Sequence, residues 1–323
     1  MKKVLCFAAV ATILFAACQK TTVVGDYSSP QEIGIFSVNK TMTKAGAINT
    51  NTFPTDYPMQ VSAYLAEGAT AAGEYFENKK FSYSTDAWVG GQYWPISTAK
   101  INFFAAAPEI SGVTTTFNSI AASNKTATIE VTNNKDNQHD VMYALAQGSH
   151  TAGAEYTAVP MAFKHALSWI CFSATSGNTG TGAPTIVVNN ITVKNVAFDG
   201  TGTLTVSSDN YTSKTSGSVI SNNVNPTWTV TAKTSSKEIA AASFSNGMLI
   251  IPETYDPTFT INYTVTQNAK EFTYDYDYNP GSSTWEAGKK YNYNITITLQ
   301  EIKITPEVDT WGTATDVPVS ITK

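Results

Sequence analysis

Three histidines and three cysteines carry most of the acid–base, nucleophilic and metal-binding potential of this chain. His139, His150 and His165 have neither the close spacing nor the Cys partners of a zinc site. His165 and Ser168 suggest a nucleophile–base pair, but side chains three apart on a strand point to opposite faces. No Gly-x-Ser-x-Gly elbow surrounds Ser168. His165 therefore reads as a partly buried structural histidine, and His139-Asp140 as a loop leading into a strand at Val141. Neither a Gly-x-x-x-x-Gly-Lys-Ser/Thr phosphate loop nor a dinucleotide fingerprint occurs. The expectation is a protein that is not an enzyme and uses no cofactor or metal.

Cys18 and Lys44 offer covalent chemistry of another kind. Lys2 and Lys3 precede an apolar stretch, Val4 to Phe15, that is too short to span a bilayer. Phe15-Ala16-Ala17-Cys18 then forms a small-residue cleavage site ending in cysteine. Residues 1–17 read as a lipoprotein signal, and Cys18 as a thiol that takes a diacylglycerol and holds a soluble domain at a membrane surface. The competing reading is a plain secretory signal with an incidental Cys18, and Phe15 departs from the Leu usual at that position. Cys6 leaves with the signal, so Cys171 stands alone and no intramolecular disulfide is available. Residues 18–45 comprise a polar tether and a short first strand, Ile33 to Val38, followed by an open polar loop. In that loop Lys44, beside Ala45, is a candidate cleavage point, because proteases nick exposed loops of small and polar residues.

A third constellation is Phe272-Thr273-Tyr274-Asp275-Tyr276-Asp277-Tyr278. On a strand the three tyrosines share one face and the aspartates the other. Exposed tyrosines would stack on sugar rings, and the carboxylates would accept hydroxyls or hold Ca²⁺. The alternative, which we favour, packs the tyrosines in a sandwich core with the aspartates on its solvated face. Trp88, Tyr93 and Trp94 pose the same choice, with the same preference.

The elements that must position these residues are strands. Tyr, Phe, Trp and Thr are abundant, only 14% of residues are charged, and no segment sustains a 3.6-residue period, so helices should be few and short. Met59 to Leu65 alternates with period two, while Tyr75 to Tyr83 suggests a hairpin near Asn78. Trp88 to Pro95 suggests a glycine turn at Gly90-Gly91, and Val159 to Phe172 one long core strand bent near His165. Gly148, Ser149, Gly153 and Ala154 dilute the pattern, which divides the chain into domains at 46–155 and 156–323. Strand after strand with turn residues between them predicts an all-β chain of two antiparallel sandwiches. Net charge is −5, all twenty basic residues are Lys, and none form a run, which argues against nucleic acid.

Eight segments in this order resemble the fimbrillin-like proteins of Bacteroidales, subunits of type V pili. They are the lipobox, Ile33 to Val38 with Thr43-Lys44-Ala45, Tyr93-Trp94-Pro95 before Ile101 to Ala105, Asp140 to Ala144, Phe163 to Ser168, Ile250-Ile251-Pro252, Trp285 to Tyr291, and Val308 to Trp311. The resemblance covers nearly the whole mature chain. It implies two tandem transthyretin-like β-sandwiches and export to the outer membrane, with residence at the cell surface or in a fimbrium. It also implies proteolytic loss of the first strand and refilling of the vacated groove by a strand of the next subunit. Partners would be other fimbrial subunits, the outer membrane through Cys18, and a surface glycan or protein to which the fimbria adheres. Family stalk subunits are cut after Arg, and here Lys44 takes that place. The tail with Val317, Val319 and Ile321 alternates like a strand. It is a candidate donor or an edge strand of its own domain, and the pattern leaves both open. The alternative function is a glycan-binding surface lipoprotein.

Overall fold

The computed structural model describes residues 30–37, 53–68, 73–97, 99–109, 126–154, 156, 158–178, 180–207, 227–230, 233–298 and 302–310. The first ten strands are β1 (Glu32–Ser37), β2 (Met59–Gly68), β3 (Gly73–Ser84), β4 (Ala87–Tyr93), β5 (Ala99–Ala107), β6 (Thr126–Asn133), β7 (Met142–His150), β8 (Val159–Met161), β9 (Lys164–His165) and β10 (Ser168–Ser176). The next ten are β11 (Thr185–Ser207), β12 (Thr227–Val230), β13 (Lys233–Ala240), β14 (Met248–Ile250), β15 (Glu253–Tyr255), β16 (Thr258–Gln267), β17 (Lys270–Tyr278), β18 (Ser283–Trp285), β19 (Lys289–Ile297) and β20 (Ile302–Thr310). One 3₁₀ turn, Ala241–Ser243, is the sole helical element among the described residues. None of these residues form a helix long and apolar enough to cross a membrane.

The first sandwich is one continuous sheet folded over, in the order β8-β1-β4-β3-β2-β5-β7-β9. β3 belongs to both layers: residues up to Phe81 pair β2, and Ser82 to Ser84 pair β4. The hairpin expected near Asn78 is absent. Asn78 instead takes a positive φ of 51° inside β3, and its backbone N–H donates to Ser62 Oγ (2.9 Å). Asn tolerates that conformation, so the chain absorbs a bulge rather than reversing. Gly90-Gly91 likewise lies within β4 rather than in a turn. A Cβ at Gly90 would come within 2.5 Å of the Phe81 ring, which is the close approach that requires glycine there. Alternate residues, among them Ile33, Ile35, Met59, Val61, Phe103 and Met161, fill the interior between the layers.

Val159 to Phe172 is three strands rather than one bent strand. β8 pairs β1, β9 pairs β7, and β10 opens a new four-stranded sheet, β14-β10-β19-β20. A largely apolar run arises here because the chain passes from one core to the next, with only Pro160, Ala162 and Lys164 partly exposed. The facing sheet runs β12-β11-β16-β17, with β13 and β6 also pairing β11. Phe172, Phe259, Ile261, Tyr293 and Ile295 fill the interior between these two sheets. The 23-residue β11 pairs β16 through Lys194, then turns at a bulge near Asn195 to pair β6 from Gly200 to Ser207. β6, from the first half of the chain, is thereby held by the second half. A further apolar cluster includes Phe104, Tyr143, Leu145, Ile129, Leu204, Trp169 and Leu249, drawn from β5, β6 and β7 and from β10, β11 and β14.

Candidate functional site

β1 is the element on which the site is built. Glu32-Ile33-Gly34-Ile35-Phe36 alternates, so Ile33 and Ile35 point inward and are wholly buried while Phe36 faces out. β4 flanks one side antiparallel, with Gly34 opposite Val89 and Ile35 opposite Trp88. β8 flanks the other side parallel, with Ile35 opposite Val159 and Ser37 opposite Met161. β8 ends the sheet, and β1 is its sole strand partner among the described residues.

Two further contacts hold the start of the strand. The Trp94 N–H donates to the Gln31 carbonyl (2.8 Å), and the Gly91 N–H donates to Glu32 Oε1 (2.7 Å). Gly34 lies between two small neighbours: a Cβ there would meet Ala87 Cβ at 3.3 Å and Ala158 Cβ at 3.6 Å. Near Trp88 the interior is aromatic, with Phe53 edge-on to Trp88 (5.1 Å between centroids) and 4.4 Å from Phe163. Burying Ile33 and Ile35 stabilises the closed sheet by about 1.5–3 kcal/mol each. Without β1, two apolar sockets about 7 Å apart and the edges of β4 and β8 would be exposed.

The remaining expected site residues lie outside the described residues: Cys18, Lys44, Ala45, Val317, Val319 and Ile321. His165 and Ser168 do not form a pair. The Ser168 hydroxyl donates to the Glu286 carbonyl (2.8 Å), whereas His165 Nδ1 lies 2.9 Å from Asp140 Oδ2. His150 stacks on Tyr156 at 4.1 Å. No group of three His, Cys, Asp or Glu side chains capable of holding a metal occurs among the described residues.

The aromatic stretch differs from the packing we favoured. Phe272, Tyr274 and Tyr276 are 49%, 47% and 38% exposed, and only Tyr278 is packed against the core. Their cross-strand partners Ile261 and Val265 are buried, so the row continues the inner face of its sheet past the edge of the facing layer. Trp88 and Trp94 are buried as expected, whereas Tyr93 is exposed.

The profile of the family described as fimbrillin-like matches residues 31–311. No curated protein matches the chain in sequence. Among solved structures, a protein from Bacteroides ovatus named for a role in cell adhesion is 14% identical, with a TM-score of 0.48, 89% of this chain covered and 100% of that one. A fimbrial protein from Bacteroides vulgatus is 15% identical, with a TM-score of 0.47, 88% of this chain covered and 100% of the other. A fimbrial assembly protein from Parabacteroides distasonis is 10% identical, with a TM-score of 0.38, 90% of this chain covered and 100% of the other.

Proposed function

The chain belongs to the fimbrillin-like family and is a structural protein of the cell surface, a fimbrial subunit or adhesin rather than an enzyme; on that premise we propose that β1 is a removable plug whose slot receives a strand of the next subunit. The observation that carries this reading is the position of β1: it is buried between β4 and β8, with two inward isoleucines, at the N-terminal end of the described chain. Cleavage after Lys44 would separate β1 covalently from the rest of the sheet. It would not by itself release the strand, because the burial of Ile33 and Ile35 persists until a competitor arrives. A competing strand regains the same main-chain hydrogen bonds and fills the same sockets.

The tail supplies a matching pattern. Val319-Ser320-Ile321 repeats the apolar–small–apolar order of Ile33-Gly34-Ile35. Cys18 would carry the lipid that holds the protein at the outer membrane until the cut is made. The same reading assigns residues 1–17 to the signal and 18–45 to the tether and plug; of the two sandwiches expected at 46–155 and 156–323, the first also takes in β8 and β9, and β6 joins the second. The glycan-binding alternative rests on the exposed Phe272, Tyr274 and Tyr276.

A labelled peptide of residues 312–323 tests the proposal by fluorescence anisotropy. It should bind protein cut after Lys44 and should not bind intact protein. Equal binding to both forms, or to neither, contradicts the plug.

A further inference from the structure

The second sandwich has an edge that natural sheets usually protect. Among the described residues β17 ends its sheet and pairs only with β16, through nine consecutive residue pairs from Phe259–Tyr278 to Gln267–Lys270, without a bulge. It contains no proline, and its one lysine, Lys270, stands at its first residue. Its backbone groups on the outer side have no strand partner among the described residues. Long, regular edges of this kind are templates for another strand.

The two faces of β17 differ in chemistry. Phe272, Tyr274 and Tyr276 form the exposed aromatic row on one side. Glu271, Thr273, Asp275 and Asp277 form the other. Asp275 Oδ1 accepts a hydrogen bond from Asn262 Nδ2 (2.7 Å), and Asp277 accepts one from the Thr260 hydroxyl and lies 3.9 Å from Lys194 Nζ. These bonds fix both carboxylates on the face opposite the rings. These carboxylates therefore do not converge on the rings as a sugar site requires.

The same charges oppose pairing with a second copy. An antiparallel pair of β17 strands centred on Tyr274 sets Glu271 of one copy against Asp277 of the other, twice. Centred on Thr273, it sets Glu271 against Asp275. Like charges directly opposite one another destabilise a strand pair.

From the open edge, the aromatic row and the acidic face together, we infer that β17 is an acceptor for an extended segment of another protein with apolar side chains on one face and Lys or Arg on the other. The incoming backbone pairs with the free edge, its apolar face covers Phe272, Tyr274 and Tyr276, and its cations meet Glu271, Asp275 and Asp277. This edge belongs to a different sheet from β1, so the inference does not depend on strand exchange there.

The test uses the full protein and a fluorescent nine-residue peptide alternating Lys and Val, with two control peptides. One control alternates Glu and Val; the other is the Lys/Val peptide N-methylated at every central residue, which keeps charge and side chains but removes backbone donors. The Lys/Val peptide should bind, and both controls should fail to do so. Asp275→Asn with Asp277→Asn should weaken binding about tenfold, the effect of losing two exposed charge pairs. Tyr274→Lys, which places a cation on the edge, should abolish it while circular dichroism stays unchanged. Absence of Lys/Val binding, or equal binding of the N-methylated peptide, overturns the inference. Binding of cellohexaose that is lost in Tyr274→Ala also overturns it, by making the row a sugar platform.

Discussion

Asp140 Oδ2 lies 2.9 Å from His165 Nδ1, with the carboxylate fully enclosed and the imidazole nearly so. The pair joins the segment entering β7 to β9, where Met142 stands opposite His165. Tyr57 adds a third strut, its hydroxyl donating to the Asp140 carbonyl (2.6 Å). Burial pushes the Asp140 carboxyl up, and His165 pulls it back. Breaking such a pair from one side leaves a buried polar group without its partner, at a cost of about 3–5 kcal/mol if that group stays charged. His165→Ala should therefore lower the urea midpoint strongly. Asp140→Asn, whose side-chain oxygen can still accept, should lower it by about 1–3 kcal/mol in free energy. Equal and negligible effects would show that the pair contributes nothing to the fold.

Ile33 and Ile35 anchor β1, so their truncation reads the strength of the plug. Ile33→Ala and Ile35→Ala should each cost about 2–5 kcal/mol by equilibrium unfolding, because wholly buried side chains leave cavities behind. Gly34→Val should be destabilising as well, since even a Cβ approaches Ala87 at 3.3 Å. Phe36→Ala, on the exposed face, should stay within about 0.5 kcal/mol.

Cys171 is buried, and its thiol is pushed up to about 12 by that burial, with Lys290 acting the other way. The thiolate is the reactive species, so Ellman's reagent at pH 8 should leave the native protein untouched. Titration should appear only in denaturant, with a rate that follows unfolding. Rapid reaction of the native protein would contradict the packing of β10 against Ser245, whose carbonyl lies 3.6 Å from the sulfur.

Alkaline pH should unfold the protein over a definable window. Burial pushes Tyr143 and Tyr293 up to about 12, above the ordinary value near 10. The folded chain holds these protons where the unfolded chain releases them. Their contribution is therefore intact below about pH 10 and is lost as the pH rises from about 10 to 12. Urea midpoints measured across this range should fall, and the fall should shrink in Tyr143→Phe.

The sequence was legible where local pattern decides structure. The apolar, β-branched content of Ile33 to Val38 marked β1, and the turn spacing marked the β-sandwich class, while the inward face of β1 came from the structure. It was misleading where the same residues serve two purposes. Asn78 and Gly90-Gly91 are turn formers, yet here they make a bulge and a close approach inside strands, a choice set by Ser62 and Phe81 on neighbouring elements. The three strands within Val159 to Phe172 read as one because apolar residues recur along the whole segment while the pairing partners change. Tyr274 and Tyr276 were expected in the core; they lie on the core-facing side, but at an edge, and a strand's place in its sheet is not written in its own residues. The Asp140–His165 pair joins side chains that carried no joint signal in the chain.

The central claim, that β1 is a plug exchanged for a neighbour's strand, is tested most directly by native mass spectrometry after mild digestion with a lysine-specific protease. The account predicts a single early cut after Lys44, followed by a ladder of oligomers in which each added copy has lost its N-terminal fragment. Protein that is cut at Lys44 and remains monomeric, or that forms the same ladder with β1 still bound in every copy, would contradict it.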